Sequence, residues 1–242
     1  MRKSTVNHGW MLAIVSGWIS TGALSAEGFE RAPYVQMATH DSICLVWRTD
    51  RAMTPVVRFG KSVEALDREV PAADVIVRRV PGQKVDPGVQ PGPDLFMGKP
   101  QQSAKTEVRQ YEVTLQGLEV DQEYFYGILD GAERMTPADP TYRFRTHPVP
   151  GTDRDLLFWV VGDSGTGGKD QKMVFDGMRK VLAERKLDLY LHVGDMAYGS
   201  GTDPEFSNNF YAVYAPTLRN TVCWPAMGNH EGRTSQGKNG VG

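Results

Sequence analysis

The stretch LLFWVVGD at residues 156–163 marks the point where the chain changes its fold. Its continuous apolar run is typical of a parallel strand that is covered on both faces. The elements predicted after it are a helix capped by Asp170 and running to about Arg185, a strand at 187–193, a helix at 204–219 and a strand at 221–227. Val174, Met178, Val181 and Leu182 recur at helical spacing on the first helix. This order predicts a βαβαβ unit with a parallel sheet.

Each of the three predicted strands ends in a glycine followed by a polar residue. The ends read Val161-Gly162-Asp163, Val193-Gly194-Asp195 and Met227-Gly228-Asn229. Open α/β sheets bind ligands at the carboxyl edge of their strands, so these polar side chains should converge there. Their oxygen atoms suit hard metal ions. One Gly-Asp pair is common in ordinary loops, but three such ends, with His230 after the last, predict a metal site.

The preceding part of the chain, residues 31–146, predicts a different architecture. Period-two alternation between turn residues indicates short strands without helices, which is typical of a β-sandwich. The predicted strands are 34–39, 42–49, 55–59, 74–80, 107–115, 123–129 and 141–145. Residues 117–126, GLEVDQEYFY, resemble the tyrosine corner of a fibronectin type III-like domain, in which Leu118 and Tyr124 pack inward.

Two further segments carry information about location and loops. Arg2 and Lys3, an apolar stretch at 10–24 and small residues after it predict a secretory signal peptide at 1–26. The mature protein would then be secreted or periplasmic, with no membrane association after the signal is removed. Residues 81–105 hold five prolines and four glycines, which predicts a long surface loop.

Charge and cysteine content exclude some classes of function. The formal net charge is -2 and no Lys/Arg run exceeds a pair, so nucleic acid is a poor candidate partner. An acidic substrate would need a local positive group such as a metal ion. Cys44 and Cys223 lie in different predicted domains, and we expect two buried free thiols rather than a disulfide.

Three motifs make the metal site more specific: Asp163-Ser164-Gly165, Gly194-Asp195-Met196-Ala197-Tyr198 and Gly228-Asn229-His230-Glu231. They resemble the DxG, GDxxY and GNHD/E motifs of the purple acid phosphatases, a branch of the calcineurin-like metallophosphoesterases. The general superfamily pattern has histidine at the position of Gly165 and aspartate at that of Tyr198, and the two departures occur together in the purple acid branch. The resemblance implies a fibronectin type III-like N-terminal domain at 27–147 and the N-terminal part of a metallophosphoesterase domain at 152–242.

The resemblance also implies roles for the site residues. Asp163 and Tyr198 would bind Fe(III), Asp195 would bridge it to a divalent ion (Fe, Zn or Mn), and Asn229 would bind that ion. His230 would be a catalytic acid or a contact to the phosphate. The implied reaction is hydrolysis of phosphate monoesters of small molecules. His192 points to the opposite face of its strand from Asp195, so we interpret it as structural.

Family members carry two more histidine motifs downstream, VxxH and GHxH, and none of the five histidines of this chain can replace them. We therefore expect a fragment or a truncated reading frame with one uncovered sheet face, weak metal binding and little or no turnover. The implied activity is that of the full-length protein. Two alternatives stay open. The same metal core serves phosphodiesterases and nucleotidases, and the chain is alternatively an inactive, truncated secreted module whose sandwich binds a partner.

Overall fold

The computed structural model of the protein describes residues 28–81 and 107–232. The predicted signal peptide at 1–26 and nearly all of the predicted loop at 81–105 lie outside these residues. Within the described ranges, no helix has the length and apolar character needed to cross a membrane.

The N-terminal domain is built from two antiparallel sheets. Its strands are β1 Arg31–Gln36, β2 Ile43–Thr49, β3 Pro55–Gly60, β4 Arg68–Val70, β5 Ile76–Pro81, β6 Glu107–Leu115, β7 Glu123–Asp130, β8 Glu133–Arg134 and β9 Arg143–Arg145. One sheet has the order β1-β2-β6-β5, and the other has the order β4-β3-β7-β8, with β9 paired to β7. Buried residues of both sheets form one apolar core, in which Trp47 stacks on Tyr111 at 5.4 Å between ring centroids. The predicted β-rich N-terminal domain is confirmed.

The strand boundaries differ from the predicted ones where the backbone turns. β1 ends at Gln36 rather than at residue 39 because Met37 has a positive φ of 51°, which leaves the extended conformation. β4 and β8 were not predicted, since strands of three and two residues are too short to show alternation. The last predicted strand, 141–145, is shorter in the structure, where β9 begins at Arg143.

Tyr124 occupies the predicted corner of the sandwich. Its ring is buried, and its hydroxyl accepts a hydrogen bond of 2.9 Å from the backbone N–H of Glu119. Leu118 is buried beside it. Both side chains therefore pack inward as predicted. The assignment of the domain as fibronectin type III-like stays a prediction.

The second domain is an α/β unit with a three-stranded parallel sheet. Its elements are β10 Phe158–Val161, α1 Lys169–Leu182, β11 Leu189–His192, α2 Asp203–Glu205, a π-helical segment Phe206–Tyr211, α3 Ala212–Leu218 and β12 Cys223–Pro225. β11 lies between β10 and β12 and is parallel to both. The predicted βαβαβ order is confirmed. Because α2, the π-helical segment and α3 follow one another without a break, we call them together helix 203–218.

The first helix differs from the prediction in its cap, its end and its buried face. Gly168, and not Asp170, is the N-cap, and the helix ends at Leu182 because Ala183 has a positive φ of 50°. The predicted apolar stripe is only partly correct, since Val174 and Val181 are 53% and 75% exposed. The buried residues are instead Gln171 and Phe175, and Phe175 packs on the ring of Trp159 in β10 at 5.8 Å.

One face of the parallel sheet is open within the described part of the chain. Trp159 is buried against the helices, but its neighbours Phe158 and Val160 are 49% and 55% exposed. The prediction that β10 is covered on both faces is therefore wrong for these residues, whereas the open face agrees with the expectation of one uncovered side.

The two cysteines are free thiols, as predicted. Both are only half-buried, so the expectation of full burial is wrong. Cys44 and Cys223 pack against the same apolar cluster, which joins Tyr34 and Val46 of the sandwich to residues of the α/β unit. Burial raises the pKa of the Cys223 thiol to about 12, so this thiol stays protonated at neutral pH.

A buried charge cluster connects the two domains. Asp203, at the start of α2, binds Arg48 through both carboxylate oxygens at 2.7 and 2.8 Å and Arg31 at 3.1 Å. Both arginine side chains are more than nine-tenths buried. Burial by itself would raise the pKa of Asp203, but Arg31 and Arg48 outweigh it and hold that pKa below its ordinary value. Removing the carboxylate would leave two buried cations without this partner.

We expect Asp203→Asn to lower the free energy of unfolding at pH 7 by about 1–2 kcal/mol, less than for a fully buried pair because Asp203 is partly exposed. A depressed folded-state pKa contributes stability above the unfolded value of 3.8, and that stability is lost as pH falls through the folded-state pKa. The variant should therefore lose less stability than the unmodified protein between about pH 5 and pH 2. Urea unfolding at several pH values measures both effects.

The matched control is Asp153→Asn, at an exposed position of the linker, and it should leave both the stability and its pH dependence unchanged. Equal stability of Asp203→Asn and the unmodified protein at pH 7 would contradict a stabilising role for this cluster.

Candidate metal centre

The three strand ends that the sequence singled out lie at one edge of the parallel sheet. Val161, His192 and Pro225 are aligned across β10, β11 and β12, so the loops that follow them emerge side by side. The backbone N–H of Asp163 donates to the carbonyl of Gly194 at 3.0 Å, which joins the first two loops directly. The predicted convergence of these loops is therefore present in the backbone.

The two aspartates stand in an unusual backbone conformation. Asp163 and Asp195 have φ values of 51° and 55°, in the left-handed region that residues other than glycine seldom adopt. Such conformations concentrate at functional sites, where the surrounding structure holds them in place. Here they turn the chain sharply at the end of each strand, so that both carboxylates follow directly after the sheet edge.

Asp195 is the centre of the side-chain arrangement. Its Oδ2 accepts a hydrogen bond of 3.2 Å from the Tyr198 hydroxyl, and its Oδ1 accepts one of 3.0 Å from the backbone N–H of His230. The rings of Tyr198 and His230 pack against each other with centroids 4.2 Å apart. The structure thus brings Asp195, Tyr198 and His230 together.

Asp163 and Asn229 lie at the exposed rim of this arrangement. Asp163 is close enough to act electrostatically on Tyr198. The carboxylate of Asp163 and the side-chain amide of Asn229 make no hydrogen bond to any residue within the described ranges. Their polar atoms are therefore available to a ligand at the edge of the sheet.

The electrostatics of the cluster favour a cation. Burial raises the pKa of Tyr198 above its ordinary value, and the negative charges of Asp195 and Asp163 raise it further. Within residues 28–81 and 107–232, neither carboxylate is paired with a lysine or arginine. Carboxylate, phenol and amide oxygens are the donors that a hard metal ion prefers, and a bound cation would lower the pKa of the phenol. The donor set therefore fits such an ion.

The number of donors is small. In the part of the chain that the structure describes, no three His, Cys, Asp or Glu side chains are grouped so that they could hold a metal ion by themselves. Of the four predicted ligands, only Asp163 and Asp195 belong to these residue types. Residues 233–242, RTSQGKNGVG, contain no histidine or carboxylate that could add to them.

Glu231 is a structural residue of the site for which the sequence analysis gave no role. The residue is buried, with a relative exposure of 2%. It accepts hydrogen bonds from the backbone N–H groups of Asp195 at 2.9 Å, Ala197 at 3.1 Å and Gly228 at 2.8 Å. We call the loops that follow β10, β11 and β12 the first, second and third ligand loops, because they carry the predicted ligands. The side chain of Glu231 joins the second loop to the third. Its position at the end of the GNHE motif was the only sequence signal.

The close approach of another loop explains why position 165 holds glycine and not the histidine of the general superfamily pattern. The backbone N–H of Gly165 donates to the carbonyl of Asp195 at 3.1 Å, and its own carbonyl accepts from the N–H of Tyr198 at 2.9 Å. A Cβ atom at this position would overlap the backbone of Met196 and Ala197. No side chain, including the histidine of the general pattern, fits here while the loop of Tyr198 keeps this conformation.

His192 is buried behind the ligand loops. Its Nε2 lies 2.8 Å from Ser164 Oγ, and its Nδ1 accepts from the backbone N–H of Gly194 at 3.3 Å. Burial lowers the pKa of His192 to about 4, although the charge of Asp195 acts in the opposite direction. Both ring nitrogens contact other residues of the protein, Ser164 and Gly194. This agrees with the interpretation of His192 as a structural residue.

Comparisons with known proteins agree with these features. The family model described as "Purple acid Phosphatase, N-terminal domain" matches residues 32–146, and the model described as "Calcineurin-like phosphoesterase" matches residues 156–241. No curated protein sequence matches the chain significantly. Eleven chains of solved structures match it.

One of these structures is described as "Structure of PhoD". It is 16% identical to this chain, with a TM-score of 0.49, and the alignment covers 86% of this chain and 40% of the other. The chain thus spans well under half of the length of that solved protein.

We expect Gly165→Ala to lower the free energy of unfolding by about 2–4 kcal/mol, because the methyl group would force apart the loops that Gly165 joins. The measurement is urea unfolding. The matched control is Gly177→Ala in α1, where an added Cβ meets no atom within 4 Å; it should raise stability by about 0.5–1 kcal/mol. Similar effects of the two substitutions would refute the close approach at Gly165.

We expect Glu231→Gln to lower the free energy of unfolding by about 2–3 kcal/mol. The amide keeps only one acceptor oxygen and turns an NH₂ group toward backbone donors that the carboxylate had satisfied. Thermal or urea unfolding measures the change. Glu184→Gln, at an exposed position after α1, is the control and should change stability by less than about 0.5 kcal/mol. A loss no larger than that of the control would show that Glu231 does not stabilise the loops.

Proposed function

We propose that the protein, whose residues 32–146 and 156–241 match the models of the purple acid phosphatase N-terminal domain and of the calcineurin-like phosphoesterases, is a metallophosphoesterase that hydrolyses phosphate monoesters of small molecules. The centre would consist of Fe(III) and a divalent Fe, Zn or Mn ion. The observation that supports this proposal most directly is the contact between Tyr198 and Asp195, at 3.2 Å, at a site where neither Asp163 nor Asp195 is paired with a lysine or arginine among the described residues.

We propose the ligand roles that the resemblance to the purple acid phosphatases implies. Asp163 and Tyr198 would hold Fe(III), Asp195 would lie between the two ions, and Asn229 would hold the divalent ion. The two carboxylate oxygens of Asp195 contact different residues, Tyr198 through Oδ2 and the backbone of His230 through Oδ1, and a carboxylate with two separate oxygens can serve as a bridging ligand. Metal ions bound here would supply Lewis-acid activation of a phosphate ester and of water.

His230 is the proposed catalytic residue of this chain. Its Nδ1 lies 2.8 Å from the carbonyl oxygen of Gly199, and a carbonyl can only accept, so Nδ1 carries a proton. The contact with the Tyr198 ring fixes the plane of the imidazole. When the ring is the doubly protonated imidazolium, Nε2 would donate its proton to the oxygen of the leaving group, and the ring would be left neutral with its proton on Nδ1. The role of Nδ1 is then to keep the ring in this orientation.

Location and partners follow from the same proposal. The protein would act outside the cytoplasm, either secreted or in the periplasm, on a phosphorylated small molecule. The four donors Asp163, Asp195, Tyr198 and Asn229 are too few to complete the shells of two ions. We therefore expect these 242 residues by themselves to bind metal weakly and to hydrolyse p-nitrophenyl phosphate slowly.

The test of the proposal is the visible spectrum of the protein loaded with Fe(III). An iron-bound phenolate absorbs visible light, so the loaded protein should be coloured and Tyr198→Phe should remove the band. Tyr142→Phe, at a buried position of the sandwich, is the control and should leave the band unchanged. A loaded protein without the band, or a band that survives Tyr198→Phe, would exclude the assignment of Tyr198.

Substrate choice separates the monoesterase from its alternatives. The loaded protein should hydrolyse p-nitrophenyl phosphate at least about tenfold faster than bis(p-nitrophenyl) phosphate, which corresponds to about 1.4 kcal/mol in transition-state free energy. The reverse order would indicate a phosphodiesterase.

A further inference from the structure

Helix 203–218 contacts the sandwich with residues spaced four apart. Asp203 binds Arg48 and Arg31, and Ser207 Oγ accepts a second hydrogen bond of 2.8 Å from Arg31. Tyr211 lies under the Arg31 guanidinium, 3.9 Å from the ring centroid. Residues four apart share one face of a helix, so one face of this helix contacts the N-terminal domain.

The residues between them contact the ligand loops. Glu205 is fully buried and accepts from the backbone N–H groups of Gly199 at 3.1 Å and Ser200 at 3.0 Å. Asn209 Nδ2 donates to the carbonyl of Tyr198 at 2.8 Å. Glu205 and Asn209 are each two residues from a residue that contacts the sandwich, and their hydrogen bonds go to the loop of Tyr198 instead. The same helix therefore contacts both the sandwich and this loop.

The π-helical segment Phe206–Tyr211 contains Asn209. Such segments are rare inside helices and are frequently found at functional sites. Tyr214, five residues after Asn209, donates to Ser164 Oγ at 2.8 Å and so reaches the first ligand loop. The helix thus contacts the loop that contains Gly165, at Ser164, and also the loop of Tyr198.

Asn209 fixes the backbone of Tyr198 from one side while Gly165 fixes it from the other. The Tyr198 N–H donates to Gly165 at 2.9 Å, and its carbonyl accepts from Asn209. Asn209 is fixed in turn. The residue is only 5% exposed, and its backbone carbonyl accepts a hydrogen bond of 2.6 Å from Gln171 Nε2. Among the described residues, Asn209 is the side chain of this helix that hydrogen-bonds to the backbone of Tyr198, whereas Glu205 binds the next residue, Gly199.

We propose that Asn209 is the positioning residue of Tyr198, and that Asp203 anchors its helix to the sandwich so that the N-terminal domain sets the geometry of the metal centre. The part that concerns metal rests on the proposed function. The part that concerns the loop does not, since it follows from contacts between protein atoms. The N-terminal domain thereby acquires a role in the site, although the described ligand candidates all belong to the second domain.

The first experiment is hydrogen–deuterium exchange of the metal-free chain, followed in peptides that cover 195–201. Asn209→Ala should raise the exchange rate of this segment at least about tenfold, because the Tyr198 carbonyl loses its donor and the loop opens locally. Asp203→Asn should raise it in the same segment. The control is Val213→Ala, which removes apolar packing from the same helix but no hydrogen bond to the segment 195–201, and it should not raise exchange there.

The second experiment measures Fe(III) binding by competition with a chelator, together with the visible band. Asn209→Ala should weaken binding about 10- to 100-fold, the range for residues that orient a metal ligand, and should shift the band. Val213→Ala should do neither. Asn209→Ser, which keeps a short donor, is the milder variant if Asn209→Ala does not fold, and we expect an intermediate effect from it.

The outcomes are distinguishable. Exchange at 195–201 that is the same in Asn209→Ala and Val213→Ala would overturn the positioning role, and unchanged exchange in Asp203→Asn would overturn the link to the sandwich. If the unmodified protein takes up no Fe(III), the proposed function fails, and the exchange data alone decide the inference.

Discussion

The candidate site depends on the hydrogen bonds that the carboxylate of Glu231 accepts from backbone N–H groups. Strand ends leave backbone N–H groups without partners, and a buried N–H group of this kind is costly. Glu231 satisfies three of them, on Asp195, Ala197 and Gly228. These groups belong to two different loops, so one buried anion sets the distance between the GDxxY and GNHE segments. Its negative charge also adds to that of Asp195, which increases the preference of the region for a cation.

The loop of Tyr198 can occupy its place only because Gly165 has no side chain. The backbone of Gly165 hydrogen-bonds to Asp195 and to Tyr198, and the space where a Cβ would stand is filled by Met196 and Ala197. The two departures from the general superfamily pattern are therefore one physical change. A glycine at 165 lets the second loop approach, and the approach places the phenol of residue 198 beside Asp195 at 3.2 Å.

The sandwich and the α/β unit are connected more closely than a flexible linker would require. The charge cluster around Asp203 joins residues up to 172 positions apart in the sequence, and the apolar cluster beside it contains residues of both domains. Tyr126 of the sandwich also donates to the carbonyl of Arg219, just after helix 203–218, at 2.9 Å. A buried, charge-paired and apolar interface of this kind favours one relative arrangement of the domains.

The sequence by itself determined the order of the elements, the sandwich and the three glycine-ended strands, because these features depend on periodicity and turn residues that are close together in the chain. It also indicated the cluster of Asp195, Tyr198 and His230, since parallel strands bring their carboxyl ends to one edge. Only the tertiary structure decided that Gln171 and Phe175, rather than Val174 and Val181, face inward. It also assigned Glu231 and Asn209 to the support of the ligand loops. Those choices depend on contacts between segments that are distant in sequence, such as Asn209 with Tyr198 and Asp203 with Arg31, and no local pattern of residues encodes such contacts.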